Sequence, residues 1–468
     1  MTTVAFRPLA GNASFRDVLA PFLQQPGLPF ADVLDAEVIE QAFRQRQGLF
    51  ATDAVFSTPI VLWAFLAQVL RDGKGAACAA AVAEIATYLQ QTGQCPPSGD
   101  TGDYCRARAK LDPAALRDLV GRTARQLERQ ARADWLWRGR HAKLVDGFTF
   151  TMPDTIDNQE AFPQQSNQDP GIGLPIARAC VVLSLATAAI HDLAVGPYEG
   201  KETGETALLR EILDSLDAGD VVVFDRYYCS YMMLALLKLR GVDVCTRLHQ
   251  CRPSDFRQGR RLGSFDRLVT WTRPDRPAWM PPEAYEQIPQ ILTPRVLEFD
   301  VAVPGHRVET ITIVTTLTDP VAYPKEAIAE LYGYRWCAEL DIRDIKQTLG
   351  LDHARCKTPE MVLREVWVTL LAYNLIRRVI ATAAAMRQKP PRQIGFTLAC
   401  QEVLSSWMLL ATGACRDARA MTASALERIA ANEVAIRPGR IEPRVLKRRR
   451  HRYPLMTRPR EQLRKELA

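Results

Sequence analysis

Three acidic residues, Asp146, Asp225 and Glu339, have the chemical type and the surroundings of a divalent-cation site. Asp146 lies inside the apolar stretch LVDGF, Asp225 follows the apolar stretch VVVF, and Glu339 lies in a stretch of helical composition. A buried strand seldom carries an Asp without a purpose, because an unpaired carboxylate is costly to desolvate. Three carboxylates brought together repel one another unless cations neutralise them, and hard oxygen ligands favour Mg²⁺ or Mn²⁺. Paired cations of this kind promote in-line displacement at phosphodiesters, so these acids predict phosphoryl transfer.

Other polar residues near these positions are weaker candidates. Asp154 and Asp157 come in a loop after the first predicted strand, and Asp220 begins the second acid-bearing strand, where turn chemistry explains it. His249 and His353 could approach the site, but a lone His is more often structural. We therefore keep the three acids above as the predicted site.

The stretch YGYRWCAELDIRDIK, residues 332–346, predicts one continuous helix with a polar stripe. Each helical residue advances roughly 100°, and Tyr332 sets the zero direction. Arg335 then lies at about 300°, Glu339 at about 340° and Lys346 at about 320°. The predicted buried face consists of Leu331, Tyr334, Ala338, Ile342, Ile345 and Leu349. Because the stripe borders this face, it indicates a cleft. The alternative is a salt-bridged surface, since Arg335 and Glu339 form an i, i+4 pair.

Composition bounds the class of protein. At 468 residues and 47% hydrophobic residues, the chain can bury a large core and should split into roughly two to four domains. It contains no uncharged apolar run of about 18 residues, and its N-terminus lacks the pattern of an export signal. The 11 cysteines include no C-x-x-C pair, which is typical of reduced cytosolic thiols. We expect a soluble intracellular protein without membrane spans.

Positive charge is concentrated at the C-terminal end. Residues 437–468 hold 12 Lys/Arg and 3 Asp/Glu, which gives this segment a net charge of +9. Since the whole chain has a net charge of +7, residues 1–436 together carry −2. This segment contains KRRRHR at 447–452 between prolines. Such a segment is usually extended, and a phosphate backbone is its commonest polyanionic partner. A solvated end without a partner is equally consistent with the composition.

Residues 1–140 are predicted to be all helical. Their helix-period segments are residues 57–70, 76–90 and 113–132. A Gly/Pro/Ser-rich loop between the last two segments runs into Arg106, Arg108 and Lys110. A basic helix start after such a loop is a candidate DNA contact, and a plain interhelical loop explains it equally well.

From residue 141 onward the pattern changes to strands. Strands are predicted within 143–153, 178–197 (two), 221–230 and 242–248, and helices at 204–220 and 231–241. Strands in succession, followed by strands that alternate with helices, indicate a mixed sheet covered by helices. Residues 250–318 are again strand-rich, and residues 319–436 return to helix, including a long amphipathic helix at 360–386.

The spacing Tyr332-x2-Arg335-x3-Glu339-x6-Lys346 resembles the YREK signature of bacterial insertion-sequence transposases of the DDE class, IS-four type, without a departure in spacing. The segments CKTPEMVLREVWVTLLAYNLIR and YPLMTRPR are similar to the same family. The resemblance covers the chain from about residue 100 onward. Residues 1–95 match only as a helical leader.

The resemblance implies an α/β fold with a ribonuclease H-like mixed-sheet catalytic core. That core would comprise residues 141–249 and 319–436, interrupted by a β-rich insertion at 250–318. An all-helical N-terminal DNA-binding domain at 1–140 and a basic C-terminal tail at 437–468 would complete the chain.

The resemblance also implies roles for individual residues. Asp146, Asp225 and Glu339 would form the catalytic, metal-binding triad. Tyr332, Arg335 and Lys346 would hold phosphates of the transposon end. Trp336 would stack on a displaced or flipped base, unless it is an ordinary aromatic at the core edge, and Trp271 is a weaker stacking candidate.

The implied activity is Mg²⁺-dependent DNA strand cleavage and strand transfer, with Mn²⁺ able to substitute. The partners would be double-stranded DNA, as terminal inverted repeats and target, and a second copy of the chain in a homodimer or higher synaptic complex. The location would be the cytoplasm, at the nucleoid. Two rival interpretations are a ribonuclease H-like metal-dependent nuclease that cuts without joining, and a domesticated, non-catalytic DNA-binding protein. Hairpin formation at the ends is inferred from relatives.

Overall fold

A computed structural model describes residues 43, 55–56, 58–91, 93–252, 255–301, 309–411, 416–434 and 456–467. The chain divides into two compact units. The helical unit comprises Met1–Trp135, Ala186–Asp192 and Asp341–Val434, and the sheet unit comprises Leu136–Leu185, Leu193–Leu340 and Ala435–Ala468. The basic run at 447–452 lies outside the described residues. The domain boundaries expected from the sequence stay a prediction.

Eleven strands are formed by the described residues. In chain order they are β1 (Ala142–Thr151), β2 (Ile176–Ser184), β3 (Ile190–Pro197), β4 (Val221–Phe224), β5 (Asp243–Arg247), β6 (Arg260–Gly263), β7 (Asp266–Leu268), β8 (Trp271–Thr272), β9 (Ile291–Leu292), β10 (Arg295–Val301) and β11 (Glu309–Thr315). Nine of them make one sheet in the order β3-β2-β1-β4-β5-β11-β10-β7-β6, while β8 and β9 pair separately.

The central strands of this sheet establish its class. β1 pairs with β2 in antiparallel and with β4 in parallel, and β4 pairs with β5 in parallel. A parallel neighbour needs a crossover connection, here supplied by the chain between β3 and β4. The sheet is mixed, its first strand is central, and its fourth strand lies beside the first. This is the ribonuclease H-like core that the resemblance implied, and the predicted fold class is confirmed.

The strands predicted within 250–318 extend the same sheet. β11 pairs in antiparallel with β5, and β10 pairs with β11 and β7. The insertion is therefore β-rich, as expected, and its longest strands continue the core sheet. A buried ion pair joins two of its strands, because Arg295 of β10 donates to both carboxylate oxygens of Asp266 of β7, at 2.8 and 2.5 Å.

Fourteen α-helices accompany the strands in the described parts of the chain. They are α1 (Thr58–Val69), α2 (Cys78–Gln91), α3 (Gly102–Arg108), α4 (Pro113–Arg129), α5 (Ile156–Ala161), α6 (Glu205–Glu211), α7 (Tyr231–Leu239), α8 (Pro282–Gln287), α9 (Lys325–Gly333), α10 (Trp336–Arg343), α11 (Pro359–Met386), α12 (Phe396–Ala411), α13 (Ala418–Ala431) and α14 (Arg460–Leu467). Local signals explain several starts. Asp112 caps α4 by accepting from the Ala114 amide, with Pro113 at the first helical position.

Helix α11 is the centre of the helical unit. It packs against α1, α4, α12 and α13. By length and composition α11 could cross a membrane, but 83% of its most apolar window is buried inside the protein. Its Asn374 amide donates to the Val120 and Ile190 carbonyls, which satisfies polar groups in this interior. The helix is thus a core element.

Two predicted elements are shorter in the structure. The helix expected at 204–220 ends at Glu211 and is followed by a 3₁₀ turn at Leu213–Ser215. The strand expected at 221–230 ends at Phe224, because Asp225 caps a 3₁₀ turn over Arg226–Tyr228. The cap accepts a hydrogen bond from the Tyr227 amide, so the chain turns away from the sheet directly after the acid.

Candidate active site

Two of the predicted acids belong to two adjacent parallel strands: Asp146 lies inside β1, and Asp225 directly follows β4. The last paired residues of the two strands are Leu144 and Val223. Asp146 and Asp225 each follow this pair by two residues. Both carboxylates are partly shielded from solvent, and the Asp146 side chain is only 19% exposed. Parallel pairing, which the sequence did not specify, is what brings them to one edge of the sheet.

The stretch 332–346 is not one continuous helix, and that prediction is wrong. Helix α9 ends at Gly333, Tyr334 and Arg335 form a turn, α10 begins at Trp336, and a π-helical turn follows at Asp344–Thr348. The directions calculated for an ideal helix therefore do not apply across the break. The predicted buried face is nevertheless largely right, since all its members are buried except Tyr334, whose hydroxyl donates to Glu330.

Arg335 joins two of the three predicted acids. Its Nη2 atom lies 2.7 Å from Glu339 Oε1 and its Nη1 atom lies 3.5 Å from Asp146 Oδ2. The i, i+4 pair with Glu339 that the sequence offered as a surface salt bridge is formed. It is only half of the interaction, because the same guanidinium also reaches the strand acid. The break before α10 leaves Arg335 in the turn from which it makes both contacts.

Asp146 is the acid most strongly affected by its surroundings. Burial raises its pKa to about 6, against an ordinary value of 3.8. The Gly147 amide and Arg335 lower this pKa, while the charges of Glu205 and Glu339 raise it further. A carboxylate that is desolvated among other carboxylates is a group whose charged form gains from a cation.

The donor set fits a hard divalent cation, because its free atoms are carboxylate oxygens. Among the residues that the structure describes, no three His, Cys, Asp or Glu side chains lie close enough together to hold a metal ion. The guanidinium of Arg335 occupies the position between Asp146 and Glu339 instead. These carboxylates can share a metal ion only after Arg335 moves out from between them.

Tyr332 lies beside the second acid. Burial raises its pKa to about 12, the charges of Arg335 and Arg247 lower it, and that of Asp225 raises it. Its hydroxyl is thus protonated at neutral pH and can donate a hydrogen bond. Arg247, at the end of β5, is a basic residue of this region that the sequence analysis did not single out.

The remaining predicted contacts are distributed over the chain. The Trp336 side chain is 54% exposed, so it is not a buried core residue. Trp271 is buried on β8, with the Arg252 guanidinium 4.0 Å from the centre of its ring, as expected for a sheet residue. Lys346 lies in the π-helical turn of the helical unit and forms an ion pair with Asp352 at 3.1 Å.

The three basic residues at 106–110 differ in their surroundings. Arg106 is exposed and pairs with Asp103, and Lys110 is exposed. Arg108 instead lies 4.6 Å from the ring centre of Phe65 and donates to Gln68. The Arg108 guanidinium therefore takes part in packing within the helical unit, and the expected DNA contacts of all three residues stay a prediction.

The weaker acid candidates have local explanations. Asp154 accepts from the Gln159 side chain, and the buried Asp220 accepts from the Asp217 amide, which is the turn chemistry expected there. Glu205, by contrast, is an acid of this region that the sequence analysis missed. Its Oε2 atom accepts a hydrogen bond of 3.1 Å from Tyr228, and its charge acts on Asp146. The signal that could have found it is the glycine after Asp146, which leaves room for another side chain.

Comparison with known proteins gives three similarities. Residues 137–375 match the family described as Transposase DDE domain. The transposase InsG of insertion sequence element IS4 from Escherichia coli (strain K12) is 27% identical over 358 residues, which cover 75% of this chain and 77% of that protein. A cryo-EM structure of the piggyBac transposase synaptic complex with hairpin DNA covers 92% of this chain and 87% of its own, at a TM-score of 0.43 and 9% identity.

Proposed function

Because the chain belongs to the Transposase DDE domain family and is of the IS4 type, we propose that it cuts DNA at the ends of its own insertion sequence and joins those ends to target DNA. The observation that supports the proposal is the arrangement around Arg335, which contacts both Asp146 and Glu339. Asp225 directly follows β4, the parallel neighbour of the strand that carries Asp146.

In this proposal Asp146, Asp225 and Glu339 hold the divalent cations, of which Mg²⁺ is the expected one and Mn²⁺ a substitute. The cations, when bound, supply activation of the attacking oxygen and stabilisation of the leaving oxygen. Asp146 suits this role because burial partly desolvates its carboxylate and raises its pKa.

Arg335 has a second position in the proposal. When DNA binds, the guanidinium of Arg335 moves away from the carboxylates and binds a phosphate of the transposon end. The phosphate, like a carboxylate, can accept two hydrogen bonds from the guanidinium. Tyr332 donates its hydroxyl to a neighbouring phosphate, and Lys346 binds another as a point charge. The exposed indole of Trp336 stacks on a base freed from the duplex.

The chemistry balances in two steps. A water oxygen forms a bond to the phosphorus at the element's edge as the bond from phosphorus to the 3′-oxygen breaks. The departing oxygen takes up a proton and becomes a 3′-hydroxyl, and the water gives up one proton to solvent. That hydroxyl then attacks the phosphorus of another strand and displaces its 3′-oxygen, which conserves the number of phosphodiester bonds. In this proposal the first such strand is the opposite strand of the same end, which gives a hairpin.

The partners follow from the reaction. Two ends must be held together for a joined product, so we expect a homodimer or a higher synaptic complex on double-stranded DNA. Arg106, Arg108, Lys110 and the basic tail at 437–468 are the candidate contacts outside the active site. The proposed location is the cytoplasm, at the nucleoid.

The test uses the full chain, Mg²⁺ and a plasmid that carries the DNA flanking its gene on both sides. Asp146→Asn, Asp225→Asn and Glu339→Gln should each abolish cleavage while the protein still binds the ends, and the exposed Glu211→Gln should leave cleavage unchanged. Cleavage that survives all three changes would refute the assignment. Cleavage without any joined product would favour the rival metal-dependent nuclease.

A further inference from the structure

Glu205 is an acid that the proposed chemistry does not yet use. It is the first residue of α6, and its carboxylate lies against the backbone of Gly147, the residue after Asp146. A Cβ atom placed on Gly147 would lie only 2.2 Å from Glu205 Cδ. Gly147 has an ordinary negative-φ conformation, so the backbone does not require glycine there. The space that a side chain would fill is taken by the carboxylate.

The same carboxylate is tied to the strand that carries Asp225. Tyr228 is fully buried, and its hydroxyl donates to Glu205 Oε2 at 3.1 Å. Tyr228 ends the 3₁₀ turn that Asp225 caps. Glu205 therefore touches the middle of β1 at Gly147 and the turn after β4 at Tyr228. Each of these segments adjoins one of the predicted acids.

A purely structural side chain at this position has no need of charge. Glutamine has the same shape and its amide oxygen accepts from a tyrosine equally well. The carboxylate, by contrast, is disfavoured here. Burial raises the pKa of Glu205, the hydrogen bond from Tyr228 and the charge of Arg178 lower it, and the charge of Asp225 raises it. A carboxylate whose neutral form is favoured by burial gains from a nearby cation, and a glutamine at the same position would not.

We propose that Glu205 is a positioning residue of the acid site, which links Gly147 of β1 to the turn after β4 and adds a negative charge that strengthens cation binding by Asp146 and Asp225. This inference rests on the proposed function, since it assumes that those two residues bind a divalent cation. Glu205 acts through them and need not contact the cation.

The experiment measures Mn²⁺ binding to the full-length chain by electron paramagnetic resonance, together with thermal unfolding in EDTA. Glu205→Gln keeps the shape and the acceptor for Tyr228 but removes the charge. It should weaken Mn²⁺ binding on the order of tenfold, the effect of one charge close to a divalent ion, while Tm stays the same or rises. Glu205→Asp, which keeps the charge, should recover part of the binding. The matched control is Glu211→Gln, an exposed acid of the same helix.

The outcomes separate this inference from the proposed function. If Glu205→Gln binds Mn²⁺ like the wild type, or if Glu205→Asp and Glu205→Gln weaken binding equally, the charge has no role and the inference is wrong. Asp146→Asn tests the premise. Undiminished binding in Asp146→Asn would refute the proposed cation site itself, whereas loss in Asp146→Asn with none in Glu205→Gln would refute only the role of Glu205.

Discussion

The sheet unit and the helical unit each contain a cluster of charged side chains, and the two clusters are built differently. In the helical unit, Arg377 contacts Asp341 at 3.0 Å and Asp344 at 3.2 Å, and Arg392 contacts Asp341 at 2.8 Å. Two acids there face two bases. The acid site of the sheet unit contains four acids, Asp146, Asp225, Glu205 and Glu339. Among its bases, Arg335 contacts two of these acids, while Arg178 and Arg247 act on the site through their charges.

The difference indicates what each cluster is for. Burying a charge is costly unless its partner is buried with it, so the balanced cluster of the helical unit is a structural network. An excess of acids is unfavourable by itself, and the charges of Glu205 and Glu339 add to the rise in the pKa of Asp146 that burial causes. In the proposed function, divalent cations would compensate this excess. Arg335 compensates part of the charge until then.

The largest effect should come from breaking the balanced cluster. Arg377→Ala leaves Asp344 and part of Asp341 without compensation in the interior, and we expect the free energy of unfolding to fall by about 3–5 kcal/mol. Chemical denaturation of the full chain measures this value, with the exposed Arg387→Ala at the end of the same helix as the control. A loss below about 1 kcal/mol would contradict the structural role of the network.

Neutralising an acid at the acid site of the sheet unit should instead raise the free energy of unfolding. The pKa of Asp146 is about 6 in the folded protein and 3.8 ordinarily, so its ionised form opposes folding above pH 6. Asp146→Asn should therefore raise the free energy of unfolding of the metal-free protein at neutral pH, by up to about 3 kcal/mol. A destabilised Asp146→Asn protein would show that the carboxylate serves the fold.

The same linkage predicts a pH dependence. Below pH 3.8 the carboxyl is neutral in both states and contributes nothing, whereas between pH 3.8 and about 6 only the unfolded chain has released the proton. The stability advantage of Asp146→Asn over the wild type should grow across this window as pH rises and stay constant above about pH 7. Unfolding curves in EDTA from pH 4 to 8 measure the difference, and a difference independent of pH would count against the assignment.

Removing Arg335, the base that contacts two of the acids, should have a smaller effect, and this effect should be on cation binding. Arg335→Ala removes the guanidinium that competes with cations for Asp146 and Glu339, so Mn²⁺ binding without DNA should tighten several-fold. Binding of the transposon ends should weaken in the same variant, as measured by gel shift. Weaker Mn²⁺ binding in Arg335→Ala would mean that the arginine orders the carboxylates for the cation.

The smallest effect on the fold is expected at Trp336. Its side chain is 54% exposed, so Trp336→Ala should change the free energy of unfolding by no more than about 0.5 kcal/mol. End binding should fall in this variant, with Trp336→Phe retaining most of it, because a benzene ring also stacks on a base. Equal end binding by Trp336→Ala and the wild type would remove the indole from the proposed interface.

Much of this organisation was readable from local patterns. The apolar stretches around Asp146 and before Asp225 predicted strands, and both exist. Apolar spacing also predicted α11 to within one residue at its start. These predictions succeed because each depends on residues close in sequence, whose burial follows from the period of the element.

The break at Tyr334 and Arg335 escaped the same reasoning. The polar and apolar positions of residues 332–346 satisfy a helical period, and no proline interrupts them. The turn is maintained by contacts that the stretch itself does not contain, including the reach of Arg335 to Asp146 in β1. Periodicity reports which face is buried, and it reports nothing about where one helix ends and the next begins when both bury the same face.

The amino-acid sequence by itself determined which residues are candidates for the site, since acids in apolar strands and the spacing from Tyr332 to Lys346 required no coordinates. Only the tertiary structure decided which groups meet. The position of Asp225 next to the strand neighbouring β1 depends on the parallel pairing of β1 with β4. The contact of Arg335 with Asp146 depends on the turn before α10, and the position of Glu205 depends on the absence of a side chain at Gly147. The physical reason is that register and packing are settled by the burial of whole elements, which couples residues far apart in the chain.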